Sequence, residues 1–172
     1  MTLGNLLCGF AAIILAVRGY SRTVYFQAVP PELVHAAWVL FLGMLLDALD
    51  GRVARWTRSV SPFGAELDSL ADMVSFGVAP AVLAWTVGER SGQSPGLLWA
   101  AGALYAACAG IRLARYNVLA SSPGRKAKSS DFMGLPSPAA AGLVAGLLLL
   151  GGVDDLEPRL RERALGTLPF VV

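Results

Sequence analysis

The stretch Asp47-Ala-Leu-Asp50-Gly51-Arg-Val-Ala54-Arg55, followed after eight residues by Gly64-Ala-Glu-Leu-Asp68-Ser-Leu-Ala-Asp72, sets four aspartates inside two otherwise apolar runs. Carboxylates at membrane depth are costly and are rarely kept without a partner, so four together call for something cationic. A pair of bound metal ions is the natural candidate. On a helix, Asp47 and Asp50 are three residues apart and Asp68 and Asp72 four apart. Each pair therefore projects from one face, and the two pairs can meet across antiparallel helices.

The surrounding chain supports the membrane reading. Of its 172 residues, 55% are hydrophobic and 15% charged, and the mean hydropathy is +0.59, values of an integral membrane domain rather than a soluble one. We read residues 1–172 as a single domain. The net charge of +2 is small and the basic residues are scattered at helix ends, which argues against a nucleic-acid partner. Cys8 and Cys108 lie inside apolar runs and read as small packing residues, not as a disulfide.

Five apolar runs are evident, at about 2–19, 33–57, 63–88, 97–120 and 137–153, and a sixth, incomplete in this chain, is expected to start near 166. The first run has no basic region before it and contains polar Asn5, so it reads as a retained span and not a signal peptide. The expected fold is an all-α polytopic membrane bundle of about six helices joined by short turns rich in Pro, Gly and Ser. Gly142 and Gly146 form a small-xxx-small pair suited to general helix packing. With a cytoplasmic amino terminus, eight basic residues (Arg52, Arg55, Arg58, Arg112, Arg115, Arg125, Lys126, Lys128) fall inside and six outside. This weakly favours a site open to the cytoplasm, although the Arg159–Arg163 cluster argues the other way.

The chemistry of the aspartates follows from their type. Hard oxygen ligands select Mg²⁺, Mn²⁺ or Ca²⁺, and with one histidine and two dispersed cysteines a zinc site is disfavoured. Gly51 and Gly64 leave bare backbone beside the acids, Ala54 adds another small position, and Arg55 lies four residues after Gly51, where its planar fork suits a phosphate oxygen. Together these describe a pocket for a metal-bound diphosphate carrying a flat group. Two rival readings are an intramembrane ion-pair network that fixes helix register and a divalent-cation path lined by aspartates. Neither requires this spacing of small residues and arginine.

The run Asp47-x-x-Asp50-Gly51-x-x-Ala54-Arg55-x₈-Gly64-x₃-Asp68-x₃-Asp72 resembles, at every defined position, the signature of the CDP-alcohol phosphatidyltransferase family. Thr2-Leu-Gly-Asn-Leu-Leu-Cys-Gly9, Ser75-Phe-Gly-Val-Ala-Pro80, Arg112-Leu-Ala-Arg-Tyr-Asn117 and Phe132-Met-Gly-Leu-Pro-Ser-Pro138 are similar to its bacterial and archaeal phosphatidylserine synthase branch. The resemblance implies a six-helix enzyme of a prokaryotic cytoplasmic membrane, commonly a homodimer. Its implied reaction moves the phosphatidyl group of CDP-diacylglycerol to L-serine and releases CMP.

Carried onto this chain, the resemblance implies two divalent ions, Mg²⁺ or Mn²⁺, on Asp47, Asp50, Asp68 and Asp72, with Asp72 also the general base. Gly51, Ala54 and Gly64 would face the cytidine and Arg55 a phosphate. Thr2 and Asn5 are candidates for the nucleotide or phosphate, with helix capping as the rival role. For serine the candidates are Arg112 and Arg115, whose guanidinium groups suit a carboxylate, with Ser75, Tyr116 and Asn117 as companions. Positive-inside anchoring is the rival role for the two arginines. Arg125, Lys126 and Lys128 suit anionic headgroups of membrane lipids. Glycerol 3-phosphate or inositol phosphate are alternative acceptors, and a phosphorylated acceptor demands more cationic residues than serine.

Overall fold

The computed structural model describes residues 2–23, 30–57, 62–90, 93–120 and 135–154. All are helical or in short turns. In chain order these are α1 (Thr2–Thr23), α2 (Pro31–Thr57), α3 (Pro62–Asp72), a π-helical segment (Met73–Val78), α4 (Ala79–Arg90), α5 (Pro95–Ala120) and α6 (Ser137–Asp154). The expected sixth span near 166 and the basic residues Arg125, Lys126 and Lys128 lie outside the described residues.

Proline starts the helices. Pro31, Pro62 and Pro95 each occupy the first position of a helix, where the missing N–H would have had no partner and the fixed φ favours a helical start. The turns before them supply acceptors: Leu33 N–H bonds to Pro30 O at 3.0 Å, and Leu97 N–H to Ser94 O at 3.0 Å.

Four stretches are long and apolar enough to cross a membrane: Thr2–Ser21, Pro31–Val53, Phe63–Glu89 and Pro95–Leu119. Ser137–Leu150 is a shorter apolar helix. The third span is α3, the π segment and α4 run together, where the amino-acid pattern predicts one uninterrupted helix. The π turn is seen in the bond from Ala79 N–H to Val74 O, five residues back. It widens the rod just after Asp72, and Phe76 O, whose α-helical donor position is Pro80 with no N–H, accepts a bond from the Tyr105 hydroxyl of α5 at 3.2 Å. Such bulges concentrate at functional sites because they re-aim side chains.

Small residues let the helices approach. The core between α1, α2 and α4 is built on Ala12, Ala16, Ala36, Ala37, Leu40 and Leu83, all fully buried. This is the composition expected where close van der Waals packing, not exclusion of water, joins helices in lipid. α2 also packs on α6, where Gly142 faces Met44 and Phe41. The small pair in α6 is therefore used for packing at its first member. α5 has no buried residue in its span and presents Leu97, Trp99, Leu104 and Ile111 outward. A face that apolar is stable against lipid and a liability against water. Both cysteines are free thiols.

The helices alternate in direction, so the start of α1, the end of α2, the start of α3, the end of α5 and the start of α6 share one end of the bundle. Two ties between elements seal the opposite end: Tyr20 of α1 stacks on Trp85 of α4 with ring centroids 5.0 Å apart, and Gly19 receives Leu33 of α2. His35 is near this second end, far along α2 from the aspartates.

Gly9 is the tightest of the contacts toward the π segment: a Cβ there would lie 2.7 Å from Ser75 Cα, which is backbone and cannot swing aside. Gly9→Ala is expected to lower stability in detergent by about 1–3 kcal/mol, the usual cost of overpacking. Gly146→Ala, which meets nothing within 4 Å, is expected to change it by less than about 0.5 kcal/mol. Thermal unfolding of both variants checks this, and equal midpoints would remove the close approach of α1 to the π segment.

Candidate metal centre

The end of the bundle shared by the start of α1 and the end of α2 carries the acids. α2 is 27 residues long, or about 40 Å, and outruns a hydrocarbon core of about 30 Å. Its carboxyl-terminal turns can therefore bear polar groups near the interface. Asp72, nine residues beyond Phe63 where the third span begins, lies about 14 Å along that rod. It is the deepest of the four acids.

Asp47 from α2 and Asp68 and Asp72 from α3 each offer a carboxylate oxygen, and these oxygens all lie within 4.8 Å of one another. All three residues are partly buried. A hard cation with oxygen ligands at about 2.1–2.6 Å spaces those ligands about 3–5 Å apart, so the trio fits one such ion. The charges acting on Asp47 and Asp72 include those of the neighbouring acids.

Asp50 stands beside the trio, close enough to Asp47 and Asp68 for their charges to interact, and it accepts a hydrogen bond from the Thr2 hydroxyl of α1. Asn5, one turn further along α1, donates from Nδ2 to Asp72 Oδ1 at 3.0 Å. The amino-terminal turns of α1 thus hold two of the four acids by their side chains. Gly51 and Gly64 are half-buried at the end of α2 and the start of α3. Ala54 and Arg55 fall within α2, but their side chains lie outside the described residues.

The residues considered for the acceptor separate in space. Asn117 of α5 donates from Nδ2 to Ser69 Oγ at 2.9 Å, and Ser69 in turn reaches Ala65 O at 3.1 Å. This bond draws the end of α5 against the turn that carries Asp68. Arg112 donates to Ser137 Oγ at the start of α6 over 3.1 Å, while Arg115 and Tyr116 are exposed. Ser75 is in the π segment, fully buried, and donates to Asn5 O at 2.9 Å.

Sequence reasoning passed over Ser69, Ser137, Tyr105 and Gly43. Ser69 had a signal, since it follows Asp68 directly and a hydroxyl there must face a neighbouring helix. Gly43 had one too, four residues before Asp47 and hence on its face. The partners of Ser137 and Tyr105 depend on which helices become neighbours, which no local pattern carries.

A family model described as CDP-alcohol phosphatidyltransferase matches residues 1–168. Among curated proteins, CDP-diacylglycerol–serine O-phosphatidyltransferase of Helicobacter pylori is 42% identical over 126 residues, covering 73% of this chain and 50% of that protein. The Saccharomyces cerevisiae protein of the same name is 38% identical over 150 residues, covering 86% of this chain and 51% of that one. That of Methanocaldococcus jannaschii is 40% identical over 118 residues, covering 69% and 52%. The chain spans about half the length of these relatives. No solved structure matches it. With the aspartate signature assembled on facing helices and the family model matched along almost its whole length, this chain is a polytopic membrane member of the CDP-alcohol phosphatidyltransferase family.

Proposed function

We propose that this chain is the membrane domain of a phosphatidylserine synthase, transferring the phosphatidyl group of CDP-diacylglycerol to L-serine and releasing CMP. The observation that carries the reading is the convergence of Asp47, Asp68 and Asp72 from two helices onto one point, with Asp50 beside them. The names of the relatives at about 40% identity supply the acceptor. In this reading the four aspartates hold two divalent ions, Mg²⁺ or Mn²⁺, and the site opens to the cytoplasm of a protein that works as a homodimer.

Bound divalent ions would neutralise the diphosphate and stabilise the charge that develops on departing CMP. The chain's own residues do the rest. Gly51, Gly64 and Ala54 leave room for the cytidine to lie on backbone, and Arg55 meets a phosphate oxygen. Thr2 keeps Asp50 oriented through its hydroxyl. The serine hydroxyl oxygen attacks the phosphorus that bears the diacylglycerol oxygen, and its proton passes to Asp72. The bond from that phosphorus to the bridging oxygen breaks, and CMP leaves with the electron pair.

Recognition of the serine carboxylate falls to Arg112 and Arg115 on the last turns of α5. The Asn117–Ser69 bond, which brings that end of α5 against the Asp68 turn, supports this role. Ser75 is fully buried and belongs beneath the site, not in the acceptor pocket.

In detergent with Mn²⁺, CMP release from CDP-diacylglycerol is expected to depend on L-serine. An excess of glycerol 3-phosphate or inositol phosphate is expected to leave serine incorporation unchanged. Serine-independent release, or efficient transfer to a phosphorylated alcohol, would falsify the acceptor assignment. Asp72→Asn is expected to cut turnover by about 10²–10⁴-fold, the range for loss of a general base. Chelation by EDTA is expected to abolish turnover, with recovery on adding Mg²⁺ or Mn²⁺. Full activity in excess EDTA would remove the ions from the reaction.

A further inference from the structure

Asn5 is fully buried, too deep to touch a nucleotide or a phosphate entering from the interface. Its surroundings are nonetheless specific at three points. Its amide nitrogen donates to Asp72 Oδ1 at 3.0 Å. Its backbone carbonyl accepts from Ser75 Oγ at 2.9 Å, in addition to its place in α1. Its amide oxygen lies over Gly43 of α2, where a Cβ would come within 3.2 Å of it.

That amide oxygen is buried and has no hydrogen-bond partner among the described residues. A buried acceptor left unmade is destabilising, whereas an apolar side chain of the same shape would avoid the cost. Packing alone therefore does not account for an asparagine here. The amide cannot gain by turning over, because its oxygen would then face the Asp72 carboxylate. What this position supplies is the donor.

Two glycines make the arrangement possible. Gly43 admits the amide oxygen, and Gly9 admits the backbone of Ser75, whose Cα would stand 2.7 Å from a Cβ on Gly9. The π segment, which starts at Met73 immediately after Asp72, turns Ser75 toward α1. Asp72 is thus gripped from inside the bundle through one oxygen, and a carboxylate with about four acceptor positions keeps the others for an ion or a proton.

We propose that Asn5, held by Ser75 through the π turn, is a positioning residue for Asp72: it fixes the rotation of that carboxylate and does not contact substrate. The inference rests on the transferase reading for its link to turnover, and it also makes a statement about ion binding that can be read without turnover.

The test uses the whole chain in detergent and three variants, Asn5→Leu, Ser75→Ala and the double substitution. Mn²⁺ affinity is read by electron paramagnetic resonance, alongside kcat, KM for CDP-diacylglycerol and thermal unfolding. Asn5→Leu is expected to lower kcat or Mn²⁺ affinity by about 10–100-fold, as loss of an outer partner of a metal ligand does. KM is expected to stay within about threefold, since a residue that does not bind substrate leaves uniform binding intact. Ser75→Ala is expected to act in the same direction, and its effect is expected to vanish when Asn5 is already Leu, the signature of two residues acting as one device.

A rise in KM with kcat retained would overturn the proposal in favour of direct substrate contact. Unchanged kcat and Mn²⁺ affinity in Asn5→Leu, or strictly additive effects of the two substitutions, would also overturn it. If Asn5→Leu does not fold, Ser75→Ala decides by the same readouts, with no change in Mn²⁺ affinity or kcat counting against the proposal. Failure of the transferase reading looks different: the unsubstituted chain then binds Mn²⁺ yet releases no CMP with any alcohol, and the affinity change in Asn5→Leu still decides the positioning role. Absence of Mn²⁺ binding in the unsubstituted chain would overturn both.

Discussion

The constraint on which this molecule turns is the burial of like charges in a place that solvates them poorly. Three carboxylates with oxygens inside 4.8 Å of one another repel strongly at the reduced dielectric of a membrane protein. A bound cation would relieve that repulsion and link α2 to α3, whose packing keeps the three carboxylates within reach of one ion. Toward the other end of the bundle, small apolar residues and an aromatic stack hold the helices together.

The small residues serve the same constraint. In lipid, burial of apolar surface gives helices little reason to associate, so close contact and interhelical hydrogen bonds must do it. Ala12, Ala16, Ala36 and Ala37 bring α1 against α2, and that proximity puts Thr2 on Asp50. Larger residues at those positions would spread the helices and leave Asp50 without its α1 partner. The alanine-rich core is therefore part of the site's geometry as well as of the fold.

Much of this was legible in the chain before its structure. Hydropathy located the helices to within a few residues, because a span must satisfy all its backbone polar groups internally and therefore reads as one long apolar run. The aspartates were legible because their spacing of three and four residues is a statement about one helix face. The π segment was not. Met73–Val78 carries a single polar side chain, Ser75, too little for an extra residue in the turn to mark the periodicity, and the Tyr105 hydroxyl that bonds Phe76 O within it comes from another helix, 29 residues away. Ser75 is a similar case: its place in the sequence near Asp72 makes it a candidate acceptor contact, and in the structure its hydroxyl donates to Asn5 O, a partner that no local pattern announces.

The π turn also bears on why the rod changes character where it does. Before it, α3 carries two ligands that must keep their helical separation of four residues to share one site. After it, α4 must present Ala79 and Leu83 to the core at an angle that fits α1 and α2. A continuous α-helix fixes the rotation between these two faces at 100° per residue, and a single wide turn is the least disruptive way to alter it. Phe76 O has Pro80, which carries no N–H, at the position of its α-helical donor, and in a membrane such a carbonyl needs another protein donor. The Tyr105 hydroxyl supplies one. The tyrosine on α5, remote from the aspartates, is thereby tied to the register of the helix that bears them, and the orientation of Asp72 depends on contacts made by three other helices.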